Sequence, residues 1–71
     1  MSNKVSKLLC WIKSRGFATS YEIKRWGLEN FYSQVDRRAR ELVCSGILSR
    51  MDDERKMLLG IKKKFAVYEV A

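Results

Sequence analysis

The chain has 71 residues, fifteen of them Lys or Arg against eight Asp or Glu, giving a net charge of +7. Its pI is near 9.8. Hydrophobic content of 46% predicts a folded chain rather than a disordered one, and the length predicts one small domain over residues 1–71. The absence of histidine removes the usual general base and a common zinc ligand, and two cysteines, Cys10 and Cys44, match no zinc spacing. No Gly-rich phosphate loop is visible. The expectation is a non-enzyme without metal, cofactor or small-molecule substrate. With no apolar run of about 18 residues and no signal peptide, it is expected to be a cytoplasmic protein with no membrane partner. The basic balance predicts a polyanionic partner, of which nucleic acid is the commonest.

Val5, Leu8, Leu9 and Ile12 form an i, i+3, i+4, i+7 stripe, which predicts a helix over about 4–15. Ser2 or Asn3 can cap its start, and Gly16 supplies a left-handed stop. Thr19-Ser20-Tyr21-Glu22 fits a capping box and opens a short helix, about 20–26, that buries Ile23 and part of Trp26. Gly27 is read as its stop. Asn30 is then the N-cap of a third helix, about 31–45, with Phe31, Val35, Ala39, Leu42 and Val43 on one stripe. Gly46 closes that helix.

Two segments rich in β-formers follow, about 47–51 and 65–70, and pairing them antiparallel makes a hairpin. The stretch from Asp52 to Lys64 is long for a hairpin loop. Lys56-Met57-Leu58-Leu59-Gly60-Ile61 either extends the strands or forms a strand of its own.

The outer side of the third helix collects Asn30, Ser33, Gln34, Arg37 and Arg40. Arginine can bond guanine, and Gln or Asn adenine, through two hydrogen bonds each, so this face carries the residue types that read a major groove. Charge is uneven along the chain: +5 over residues 1–28, zero over 29–46 and +2 over 47–71. Two readings of the balanced helix stay open. In one, Asp36 pairs with Arg40 and Glu41 with Arg37, holding the arginines extended for readout while the flanks attract phosphate. In the other, the arginines are solvated partners on a structural helix.

Lys62-Lys63-Lys64 is the densest positive run, whereas Asp52-Asp53-Glu54 at the other end of the same stretch would be repelled by phosphate. Trp11, Trp26 and Tyr21 have near-core spacing and are read as packing residues rather than stacking platforms. Cys10 and Cys44 fall on outer helix faces and are read as free thiols.

Ser33, Val35, Arg37, Ala39, Leu42, Gly46, Ile47, Leu48 and Arg50, with Thr19, Glu22 and Ile23 before them, resemble the pattern of winged helix-turn-helix regulators over nearly the whole chain. The resemblance implies an α+β fold: three helices followed by a C-terminal β-hairpin, the wing. It implies sequence-specific binding of double-stranded DNA by a small transcriptional regulator of a prokaryote or a virus, as a monomer or homodimer. Helix three would lie in the major groove with Ser33, Gln34, Arg37 and Arg40 at the bases. Asn30, Lys24, Arg25, Arg38, Lys62, Lys63 and Lys64 would hold phosphates. The alternative is a winged helix that docks to protein through Trp11, Trp26 or Met57-Leu58-Leu59.

Overall fold

A computed structural model describes residues 3–71. Ser2, one of the two caps considered for the first helix, lies outside the described residues. The fold is a small α+β arrangement of four helices and a three-stranded antiparallel sheet. In chain order the elements are α1 (Asn3–Arg15), β1 (Ala18–Thr19), α2 (Ser20–Glu29), α3 (Val35–Cys44), β2 (Leu48–Arg50), α4 (Asp53–Leu58) and β3 (Val67–Val70). The strand order is β1-β3-β2, with Ala18 opposite Tyr68 and Leu48 opposite Val70. Among the described residues, no helix is long and apolar enough to cross a membrane.

The apolar stripes converge on one core. Val5, Leu8 and Ile12 from α1 meet Ile23 and Trp26 from α2, Val35, Ala39 and Leu42 from α3, and Leu48 and Tyr68 from the sheet. Burying such side chains is worth about 1.5–3 kcal/mol each, which is how so short a chain offsets its ordering entropy. Gly16 stops α1 at φ +91°, its amide donating to the carbonyls of Ile12 and Lys13. The capping box of α2 is present: the Glu22 amide donates to the Thr19 hydroxyl, and the Thr19 amide donates to the Glu22 carboxylate.

Gly27 is not a stop. It lies inside α2, which runs to Glu29, and the helix buries it against α3. A Cβ there would collide with the Val35 side chain and lie 2.7 Å from the Tyr32 carbonyl oxygen. Close approach of two backbones, rather than a left-handed turn, is what this glycine supplies. Asn30 is correspondingly not the N-cap of α3 but the C-cap of α2, its amide and its side-chain Nδ2 both donating to the Trp26 carbonyl at 3.0 and 2.8 Å. The third helix starts four residues later than its spacing suggests because Tyr32 turns back, donating its amide to the Gly27 carbonyl at 2.7 Å. Phe31, expected on the buried stripe, instead takes φ +56° and stands exposed.

Residues 52–64, left between loop and strand from sequence, contain the fourth helix. Asp52 caps α4 by accepting the Arg55 amide, and Asp53 and Glu54 occupy its first turn, where negative charge favours a helix N-terminus. Lys56 is only 4% exposed. Its Nζ donates to the carbonyls of Lys63 and Phe65 at 3.1 and 2.8 Å and pairs with Asp53 at 3.3 Å, so its three protons find three acceptors. Arg55 adds a bond from Nη1 to each carboxylate oxygen of Glu69, tying α4 to β3.

Two stability changes follow from these contacts. Gly27→Ala, which raises helix propensity by about 1 kcal/mol, is expected instead to destabilise by about 1–3 kcal/mol through overpacking, read by urea denaturation. Lys56→Met leaves two carbonyls without their donor and is expected to lower stability by about 1–3 kcal/mol in the same assay. An unchanged midpoint for either variant would remove the role given to that residue.

Candidate nucleic-acid interface

The outward side of α3 continues beyond the helix in both directions. Before it, Ser33 and Gln34 lie in the turn that leads into the helix, with Gln34 at the N-cap position but making no capping bond through its side chain. At this end one hollow is bordered by Lys4, Phe31, Ser33, Gln34, Arg37 and Arg38. A second borders on Arg37, Arg40 and Cys44, and a third on Arg40, Cys44, Arg50 and Tyr68. Shared residues make these hollows one strip, running from α1 along α3 to β2. Lys4, Arg37, Arg38, Arg40 and Arg50 face it, against one carboxylate, Glu41.

Local pairing within the strip is unequal. Glu41 takes two arginines: Arg38 at 2.7 Å and Arg37 at 3.5 Å. The Asp36–Arg40 pair allowed by the sequence does not form, and among the described residues Arg40 has no carboxylate within ion-pair distance. One guanidinium is therefore uncompensated at the centre of the helix face. The neighbouring Tyr32 side chain, then the charge of Glu41, hold the Arg38 guanidinium above its ordinary pKa. Lys4 crosses from α1, donating to the Phe31 carbonyl at 2.9 Å with its ammonium 5.6 Å from the Tyr32 ring centroid. This contact anchors the turn from which Ser33 and Gln34 project.

The remaining candidates are dispersed. Lys24 and Arg25 are exposed on α2, and Arg25 pairs with Glu29 at 3.4 Å in a separate hollow beside Trp11, Tyr21 and Glu22. Lys62, Lys63 and Lys64 are exposed between α4 and β3, with Lys64 5.4 Å from the Phe65 ring centroid. None of these five borders the α3 strip. Asn30 is engaged in capping α2. Sequence reading selected Ser33, Gln34, Arg37, Arg38 and Arg40 but passed over Lys4 and Arg50, which belong to other elements, α1 and β2, and join the strip only through tertiary packing.

The aromatic residues divide. Trp26 is buried and stacks on Trp11 with ring centroids 5.6 Å apart, and Tyr32 meets its edge. Arg15 covers the outer face of Trp11 and pairs with Glu22. Tyr21, expected to pack, is exposed, because it lies on the outer face of α2 while Ile23 and Trp26 turn inward. Cys10 and Cys44 are both free and exposed.

No protein-family model, curated protein or solved structure was found to match this chain.

The Glu41 pairs are solvent-exposed, so they orient side chains more than they stabilise the fold. Glu41→Gln is expected to change unfolding free energy by no more than about 0.5 kcal/mol. A loss several times larger in a denaturation series would make the pair structural.

Proposed function

We propose that this chain is a winged helix domain that binds double-stranded DNA in a sequence-dependent way and acts as a small transcriptional regulator. The observation that carries the reading is the cationic strip along α3, with Arg40 unpaired and Gln34 and Ser33 free of capping bonds at the leading end. A helix of this kind fits a major groove by width, and Arg37, Arg40, Gln34 and Ser33 have the donors and acceptors that distinguish base pairs there. Lys4, Arg38 and Arg50 lie at the margins, where a duplex presents its phosphates. Lys24 and Arg25 on α2, and Lys62, Lys63 and Lys64 before β3, supply longer-range attraction.

In this reading β2 and β3 are the two strands of the wing, and α4 stands where a simple wing has its tip. The acidic start of α4 would be repelled by phosphate, so residues 62–64 are the part of this segment whose charge favours a duplex, acting at longer range. A regulator acting this way works in the cytoplasm of a prokaryotic cell or of a virus-infected host, alone or as a homodimer.

One observation favours the protein-docking alternative: Met57, Leu58 and Leu59 are exposed in a row, Leu58 at 82%. Trp11 and Trp26 no longer support it, because they are spent on each other.

Binding of the full chain to a random duplex library across a salt series separates these readings. Arg37→Ala or Arg40→Ala is expected to cost about 1–3 kcal/mol at preferred sites and to relax preference at one base pair. Arg50→Ala is expected to weaken all duplexes alike and to flatten the log–log salt slope by about one. If all three variants lose affinity evenly across every sequence, α3 does not read bases. No measurable duplex affinity at low salt would leave the docking alternative.

A further inference from the structure

Phe31 is held where neither packing nor backbone preference would put it. Its φ of +56° lies in the left-handed region, which bulky side chains rarely adopt and which stores strain. Its ring is 88% exposed, so no core contact compensates for that strain. The Lys4 ammonium bonds its carbonyl, fixing the turn in this conformation. The residue borders the hollow it shares with Ser33, Gln34 and Arg37, at the leading end of α3.

An exposed aromatic in a hollow where three cations, Lys4, Arg37 and Arg38, outnumber the single carboxylate of Glu41, and where Tyr32 is half-buried, needs an apolar partner that arrives together with negative charge. In a major groove one base offers an apolar group at its edge: thymine, through its C5 methyl. A protein pocket covering Phe31 would have to desolvate Lys4, Arg37 and Arg38 beside it, whereas a duplex supplies phosphates to those same groups. We infer that Phe31 is a specificity-determining residue that packs its ring on a thymine methyl next to the bases contacted by Gln34 and Arg37. The inference rests on the reading of the α3 strip as a duplex-binding surface.

The test replaces each thymine of a library-selected duplex by deoxyuridine, one position at a time, which removes the methyl and leaves base pairing intact. At one position the wild-type chain is expected to lose about fourfold in affinity, the value of burying one methyl group. Phe31→Ala is expected to bind the thymine and uracil duplexes equally. Phe31→Gly relieves the left-handed strain, so it should lose the same discrimination while its Tm stays level or rises, excluding unfolding as the cause. Wild-type binding that no uracil replacement weakens overturns the assignment of Phe31, as does a Phe31→Ala variant that keeps the discrimination. Loss of self-association in Phe31→Ala with discrimination intact also overturns it, in favour of a contact between two copies. Absence of any duplex binding by the wild type instead overturns the functional reading beneath.

Discussion

The missing side chain at residue 27 governs how α2 and α3 meet. Because Gly27 has no Cβ, the Val35 side chain and the Tyr32 backbone can close directly onto α2. The chain turns back through Tyr32, Asn30 is drawn into capping α2, and α3 starts at Val35. Ser33, Gln34 and Phe31 are then displayed on the turn rather than wound into the helix. The composition of the outer surface at this end is thus a consequence of packing on the inner one.

What could be read from the sequence was what neighbouring residues decide among themselves. The capping box of Thr19 and Glu22 closes within four residues, and the stripes of α1 and α3 follow from helical angle alone. Gly27 could not be assigned by the same means, since a glycine that ends a helix and one that admits a neighbour are the same letter. The two-residue β1 exists only because β3 pairs with it from the far end of the chain. The fourth helix carried a local signal, Asp52-Asp53-Glu54 followed by Arg55-Lys56, which is the charge order of a capped helix. Its apolar residues lie on the outside, however, and the residue it buries is a lysine. Apolar periodicity therefore pointed away from it.

The candidate surface shows the same division. Arg37 and Arg40 were placed outward by helical geometry, whereas Lys4 and Arg50 entered only when α1 and β2 were packed beside α3. Net charge along the segment was balanced on paper. In three dimensions Glu41 engages two arginines at once, and Arg40 is left without a carboxylate partner. A balanced count along the chain thus became an unbalanced surface, because Glu29 and Asp36 lie off the strip while Lys4 and Arg50 join it.

The sheet order has a bearing on how this surface comes to exist. β1 and β2 share no edge; within the sheet each pairs with β3, which lies between them. The Ala18–Tyr68 pair spans most of the chain, so the closure entropy of a very long loop is met before that contact gives anything back. Such an architecture has few stable halves and assembles close to all-or-none. Lys4 from the first helix and Arg50 from the second strand share one strip only in the completed fold. A ligand of that strip would therefore act as a thermal stabiliser of the entire molecule, and occupancy and foldedness would rise and fall as one equilibrium.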